Sequence, residues 1–541
     1  MLSRVFSMGL RGIDGYLVRV ELDVANGLPA YATVGLPDSA VRESRERVIS
    51  AVRNSGFQFP QKRITVNLAP AQSRKEGTHF DLPIALAILS ASGQLGAASW
   101  PERYCFAGEL ALDGSLRPVP GVLTMSLEAK SRGYEAIIVP EENLGEAAAS
   151  GMKVLGAATL RQIADFLGGE GALSAVSGEA AAPENSEAAA PDLAEVKGQS
   201  LAKRALEIAA AGGHNILFIG PPGVGKSMLA RRLPGLLPPM DEDEASEATR
   251  IFSLSRAGAP RGLVRRRPFR APHHSASLAA LIGGGTSARP GEISLAHAGV
   301  LFLDELPEFG RGVLEALRQP LEEGRVVVSR AKEIHEYPAR FILAAAANPC
   351  PCGWRGHPRR ECRCGPRALE RYLTRFSGPL MDRIDLQVEL SPLPFEDWAQ
   401  TPSAAPAAAP DADAFTDRAS GTARPPASAA ETTAAALARV LAARARQRER
   451  FGGAPGLVNA RISPAQTRRL CRPDARALEL LRRAAAKSGI SARGLDRILR
   501  VCRTIADLSG APDVGPEHVA EAMQYRCLER WSAGLAAAGA P

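Results

Sequence analysis

Near the middle of the chain, Gly220-Pro221-Pro222-Gly223-Val224-Gly225-Lys226-Ser227 has the residue types and spacing that hold a triphosphate. The glycines let backbone N–H groups turn inward on the phosphates, and the start of the following helix adds partial positive charge. Lys226 is suited to reach the β- and γ-phosphates and the Ser227 hydroxyl to ligate Mg²⁺. A glycine turn that happens to contain Lys and Ser is the simpler account. The apolar run Ile216 to Ile219 before the loop and the helix formers after it argue against that account. Farther along, Gly299-Val-Leu-Phe-Leu-Asp-Glu305 is an apolar run that ends in two acids. A central strand would deliver Asp304 to the Mg²⁺ shell and Glu305 to polarise the attacking water. The run Phe341-Ile-Leu-Ala-Ala-Ala-Ala ends at Asn348, whose amide could hold that water in line. Three such runs in order imply an ATP hydrolase with ATP and Mg²⁺ as cofactors.

Strands ending in this chemistry belong to an α/β fold, and 541 residues leave room for two to four domains. No run of 18 apolar residues is present, so no membrane span is expected. The first residues, Met1-Leu-Ser-Arg-Val-Phe-Ser-Met8, lack a signal-peptide core. Eight cysteines, four of them clustered, do not form a disulfide framework, so a reducing cytoplasm is the expected location. Net charge is +8, and its uneven placement matters more than its size.

Residues 1–167 read as a separate α/β domain. Tyr16 to Val24 and Ile64 to Leu68 alternate as half-exposed strands do, and Asp38 to Arg53 and Asp81 to Leu95 have helical periodicity. Tyr104 to Leu110 and Ala136 to Pro140 read as strands, with a helix at Leu123 to Arg132 between them. Residues 168–191 are small, polar and acidic, the composition of a flexible linker. Residues 192–398 hold the nucleotide motifs. Residues 399–432, rich in Ala, Pro, Ser and Asp without periodicity, read as a disordered insert. Beyond it, Ala434 to Arg450, Ser463 to Leu470, Asp474 to Ser488, Ala492 to Leu508 and Pro516 to Arg530 read as helices of an all-α lid over 433–541.

The front segment resembles the proteolytic domain of Lon proteases. The resemblance is carried by Lys75-Glu-Gly-Thr-His-Phe-Asp-Leu-Pro83, Gly108-Glu-Leu-Ala-Leu-Asp-Gly-Ser-Leu-Arg-Pro118 and Glu135-Ala-Ile-Ile-Val-Pro-Glu-Glu-Asn143. Where Lon has its nucleophilic serine this chain has His79, and no lysine of a Ser–Lys dyad falls near Leu123 to Met125. His79 as a replacement base has no nucleophile beside it in sequence, so the domain is expected to be a scaffold.

The order of parts resembles the Mg-chelatase-like AAA+ ATPases of the ComM/YifB type across almost the whole chain. The diagnostic stretches are Arg267-Pro-Phe-Arg-Ala-Pro-His-His-Ser-Ala-Ser277, Gly283-Gly-Gly-Thr to Gly299, Ser377-Gly-Pro-Leu-Met-Asp-Arg-Ile-Asp-Leu386 and Ser491-Ala-Arg-Gly-Leu-Asp-Arg-Ile-Leu-Arg-Val501. The resemblance implies a P-loop AAA+ core of the helix-2-insert type, and the 78 positions from Lys226 to Asp304 can hold that insert. It also implies a homo-oligomeric, hexameric ring that moves on single-stranded, forked or branched DNA. ComM-type proteins promote branch migration in natural transformation, which admits recombination proteins as partners. By family position, Arg383 matches the arginine finger that acts on a neighbour's γ-phosphate, and Arg493 the sensor arginine of the lid, with Arg497 a close rival. Surface arginines paired with Asp382, Asp385 or Asp496 are the simpler account.

Basic placement points to nucleic acid. Arg261 to Arg270 has five arginines and no acid, with Arg265, Arg266 and Arg267 at its centre. Between Ala438 and Arg472 stand nine arginines and one acid, Glu449. Arg325 to His335 reads as a β-hairpin with Arg330 and Lys332 near its tip. In related helix-2-insert ATPases such a hairpin points into the ring pore, where cations would grip phosphates without reading bases. A solvated face is the commoner explanation for any one run; together they favour DNA or RNA. His273 and His274 read equally as pore contacts or packed loop residues. Cys350, Cys352, Cys362 and Cys364 have the spacing of a four-thiolate structural Zn²⁺ knuckle, against the plainer reading of four reduced thiols in a surface loop. Two rival functions stand beside the DNA motor. One is a protein-remodelling ATPase like the magnesium chelatase I subunit, on which a Lon-like front of this length is not expected. The other is an ATP-dependent protease, disfavoured by His79 and the missing lysine.

Overall fold

The computed structural model describes residues 1–95, 100–177, 191–255, 260, 262–284, 288–329, 334–376, 378–393, 431–454, 456–488 and 490–527. It is an α/β protein with a parallel-sheet core and a helical C-terminal region. Among the described residues no helix is long and apolar enough to cross a membrane.

The front domain is built on an eight-stranded mixed sheet. Its central hairpin pairs Leu2–Arg11 with Asp14–Ala25, Val5 opposite Val20. Sequence reading assigned no strand to the first of these. Three consecutive buried residues, Ser7 to Gly9, blur its alternation. At the other edge, Ser174–Ser177 pairs antiparallel with Lys153–Ala157. The sheet therefore extends past residue 167 into the stretch read as linker. An edge strand needs only backbone pairing, which composition does not reveal. Residues 178–190 of that stretch, and 394–430, which cover nearly all of the proposed insert, lie outside the described residues. Glu431 and Thr432 are described, and Thr432 caps the first lid helix by accepting from the Ala435 N–H at 3.2 Å.

The second sheet is parallel, in the order Phe269–Arg270, Val300–Leu303, Ile342–Ala347, Ile216–Ile219, Leu386–Glu389. Its three central strands look uniformly apolar because both faces are covered, yet the period of two still sorts the side chains. Ile216, Phe218, Phe302 and Ala344 pack into one cluster with lid residues Val440, Ile498 and Val501. Leu217, Ile219, Leu303 and Ala345 pack on the opposite face with Ile251, Leu314 and the front domain's Ile13. The C-terminal helices thus cover one face of the five-stranded parallel sheet, and the front domain reaches the other.

That second junction lies where Lon would keep its lysine. Leu123 to Met125 sit buried on the helix Val122–Ser131. Glu146 accepts from the Leu123 N–H at 3.0 Å and from the hydroxyl of Ser253 in the helix Glu242–Ser253. From the same helix, Arg250 donates to the Ile13 carbonyl at 3.1 Å and to Asp14 at 3.1 Å. His79 is buried and packs on Phe80 with ring centroids 4.0 Å apart. Burial pushes its pKa down to about 4, partly offset by a hydrogen bond with the Met8 backbone.

The lid is held by one buried carboxylate. Asp507, fully buried, accepts from Arg450 at 2.9 Å, Arg503 at 3.1 Å and Asn459 at 2.8 Å, joining Thr433–Arg450 to Ala492–Ser509. Asp507→Ala would leave the buried Arg503 charge with only the Pro512 and Ala511 carbonyls and take the carboxylate from Arg450. A destabilisation of about 3–5 kcal/mol is expected, read as a lowered denaturation midpoint for the lid transition. A midpoint within error of the parent would show that the network is dispensable.

Candidate nucleotide-binding site

Parallel pairing sets the site by register. Ile219 lies opposite Ala347, and Leu303 opposite Ala345, so the Ile342–Ala347 strand is sandwiched between the loop strand and the acid strand. All three chains leave the sheet at the same edge. There Gly220 to Ser227, Asp304, Glu305 and Asn348 come together, around a cavity of about 410 Å³ lined by Pro222 to Met228, Asp304, Glu305, Ala347 and Asn348. The loop needs left-handed backbone at Gly223 (φ 81°) and Gly225 (φ 90°), conformations that only glycine adopts without cost.

Lys226 Nζ donates to the Pro221 carbonyl at 3.0 Å and to Asn348 Oδ1 at 2.8 Å. Burial lowers its pKa to about 8, while Asp304 and Glu305 pull in the opposite direction. The Ser227 hydroxyl donates to Asp304 Oδ2 at 2.7 Å. A hydroxyl and a carboxylate in direct contact form the oxygen donor pair that suits Mg²⁺ beside a triphosphate, so the residues fit this ion. Lys226→Ala is expected to weaken binding of a fluorescent ATP analogue about 10- to 150-fold, from the roughly 1.5–3 kcal/mol of a charge-assisted hydrogen bond. An unchanged dissociation constant would remove Lys226 from the site.

Glu305 turns out of the strand in a left-handed conformation, φ 53°, and its amide donates to Asp304 Oδ1 at 2.9 Å. Non-glycine residues held this way are strained, and such strain concentrates at functional sites. Its carboxylate lies 3.3 Å from His274 Nδ1. The strand Phe269–Arg270, paired in register with Val300–Leu303, brings the His273-His274 loop to the same sheet edge. His274 is therefore a partner of Glu305, a role sequence reading missed because 31 positions separate the two. The His-His pair following a short apolar strand was the available signal.

Family comparisons cover the chain in three blocks. Residues 192–398 match the model described as magnesium chelatase, subunit ChlI. Residues 20–143 match subunit ChlI of Mg-chelatase, and residues 430–526 the ChlI C-terminal region. Competence protein ComM of Haemophilus influenzae is 44% identical over 532 residues, 98% of each chain. The uncharacterised protein YifB of Escherichia coli K12 is 42% identical over 530 residues, again 98% of each. The chain belongs to the Mg-chelatase-like ComM/YifB family. A Lon protease of Lachnoclostridium phytofermentans is 23% identical over 172 residues, 29% of this chain and 21% of its own, in keeping with a partial Lon likeness within the ComM/YifB architecture.

The arginines assigned by family position lie elsewhere. Arg383 follows the helix Gly378–Met381, and its carbonyl accepts from Asn215 Nδ2 at 2.8 Å, before the loop strand begins. That strand spans about 13 Å at ~3.3 Å per residue, so Arg383 is anchored at the sheet edge opposite the loop. Its guanidinium pairs with Glu322. Arg493 is exposed and lines the same cleft of about 500 Å³, with Arg383, Arg461, Arg497 and Arg500. Arg497, mostly buried, pairs with Asp382 at 3.5 Å.

Of the proposed nucleic-acid contacts, Arg330 and Lys332 lie outside the described residues. The hairpin that carries them is present, Arg325–Ser329 paired antiparallel with Ile334–Pro338. Arg265 and Arg266 are exposed. Arg267 is a correction. Its guanidinium is committed to the Pro238 and Ala298 carbonyls at 2.7 and 2.8 Å and to Glu244 at 2.8 Å, so it ties the loop down instead of facing solvent. Arg270 likewise pairs with Glu292 at 2.7 Å. In the lid run, Arg439, Arg444, Arg446 and Arg450 bond within the chain, while Arg448, Arg468, Arg469 and Arg472 are exposed. Charge counting cannot separate arginines that brace a fold from those that face a ligand.

The four cysteines do converge. Cys350, Cys352, Cys362 and Cys364 place their sulfur atoms all within 4.8 Å of one another.

Proposed function

We propose that this protein is an ATP-driven DNA translocase that works as a hexameric ring and promotes branch migration during recombination in natural transformation. The observation that carries the reading is the division of the nucleotide machinery between two sheet edges. Lys226, Ser227, Asp304, Glu305 and Asn348 form one pocket, and Arg383 and Arg493 line a cleft at the other edge. Two adjacent copies in a ring would bring the two sets together. Bound ATP with Mg²⁺ would supply the phosphoryl group and neutralise its charge. Lys226 would orient it by exchanging its carbonyl and amide contacts for phosphate oxygens, and Ser227 and Asp304 would hold the ion's shell. Glu305, released from His274, would accept the proton of an attacking water that Asn348 holds in line. A guanidinium from the neighbouring copy would stabilise the charge that spreads over the transferred group.

DNA as the track is supported by the name of the Haemophilus relative, a competence protein, and by exposed basic residues that would bind phosphates without reading sequence. The test is ATP hydrolysis by the purified protein with and without forked and four-way DNA. Hydrolysis should rise with these DNAs, and strands should be displaced in step. Hydrolysis that ignores every DNA offered would refute the translocase reading, and no hydrolysis at all would refute the ATPase.

A further inference from the structure

We propose that the four cysteines hold one Zn²⁺ ion and that the loaded knuckle is a structural prop of the nucleotide pocket, so that metal occupancy sets nucleotide affinity. The coupling rests on the reading of that pocket as an ATP site; the metal site does not.

The geometry of the sulfurs comes first. A tetrahedron with Zn–S bonds of about 2.3 Å separates its sulfurs by about 3.8 Å. Here Cys350 Sγ lies 3.3 Å from Cys352 Sγ and 3.7 Å from Cys362 Sγ, and Cys352 and Cys362 are 3.6 Å apart. All four cysteines are free thiols. Backbone N–H groups are aimed at the sulfurs, that of Arg355 at Cys350 and those of Trp354 and Arg363 at Cys352. Such donors orient metal-bound thiolates and offset their charge. Between Cys350 and Gly365 the chain has turns but no helix or strand. A loop of that kind gains its order from what closes it, and four ligands on one ion close it twice. A set of soft thiolates with no oxygen donor selects zinc over Mg²⁺.

The loop is tied to the pocket at three points. Cys350 stands two residues after Asn348, the residue that bonds Lys226 at 2.8 Å. The knuckle leads into the helix Pro366–Leu373, whose Tyr372 hydroxyl returns to donate to the Asn348 carbonyl at 2.9 Å. Gly353, at φ +79°, rests directly on the phosphate loop: a Cβ there would lie 2.8 Å from Pro222 Cδ and 3.0 Å from Pro222 Cγ. The knuckle therefore presses on Pro222 from outside and fixes both sides of Asn348. Loss of the ion would free this support, and a shift of about 1 Å in a positioned group costs on the order of 100-fold in function.

The experiment uses the full-length protein. Elemental analysis should find one zinc per chain and no stoichiometric iron. The double variant Cys352→Ser, Cys362→Ser should lose the ion and bind a fluorescent ATP analogue about 10- to 100-fold more weakly, with its far-ultraviolet circular dichroism retained. Gly353→Ala places a Cβ against Pro222 and strains the φ +79° turn; with one zinc per chain still counted in the variant, it should lose nucleotide affinity through that contact. A parent without zinc, or with iron in its place, overturns the metal site. A zinc-free variant, or Gly353→Ala, that binds nucleotide as the parent does overturns the coupling. A parent that holds one zinc and binds no nucleotide overturns the ATP reading and the coupling with it, while the metal count stands.

Discussion

Glu305→Gln should bind ATP as tightly as the parent and hydrolyse it about 10²- to 10⁴-fold more slowly, the range for loss of a positioned general base. The amide keeps the shape of the carboxylate but cannot take a proton, and Lys226, Ser227 and Asp304, which carry the binding contacts, are untouched. The assembled, nucleotide-loaded ring should accumulate, with DNA retained. The measurements are a nucleotide dissociation constant and a single-turnover rate on the same preparation. A variant that turns over at near the parental rate would transfer the base to another group. The contact between Glu305 and His274 adds a second reading from the same assay. Removing the carboxylate's charge also removes its attraction for the imidazole, so the His273-His274 loop should become more accessible to chemical modification in the variant.

Arg383→Ala should bind nucleotide normally and lose about 10³-fold or more in hydrolysis, the scale of an arginine finger acting in trans. Its position predicts how that loss can be repaired. Arg383 is anchored through its carbonyl to Asn215 at the sheet edge away from the phosphate loop, and its guanidinium pairs with Glu322 there. Mixed with Lys226→Ala protein, it should recover part of the activity. Some junctions in the mixed ring pair an intact pocket with an intact Arg383. Two inactive proteins that give measurable hydrolysis together would establish the trans arrangement. Failure at every mixing ratio, with mixed assembly verified by cross-linking, would count against it. Glu322, which pairs with Arg383 in the isolated chain, should then act as a latch. Glu322→Gln is expected to leave the intact protein's nucleotide affinity unchanged.

The nucleotide pocket was legible in the sequence because its chemistry is local. The glycines, Lys226 and Ser227 sit within eight positions, and Asp304, Glu305 and Asn348 each follow an apolar run of the kind a buried parallel strand uses. The C-terminal helices were legible from their periodicity, while the structure adds that Thr432, read as part of the insert, caps the first of them, as Ser463 and Ser491 cap two others. The full-length identity to ComM/YifB proteins agrees with the resemblance that the sequence carried. What the sequence could not determine were relations across the sheet. Strand order placed Phe269–Arg270 beside the acid strand and so set His274 against Glu305. It also put Arg383 at one edge and Lys226 at the other, and it decided that Arg267 would be consumed by carbonyls and Glu244. Periodicity, caps and loop chemistry act over one or two turns of chain, whereas pairing between strands depends on which backbone edges meet after collapse. Only the tertiary structure decides that, and it decided which arginines, such as Arg267 and Arg450, brace the fold.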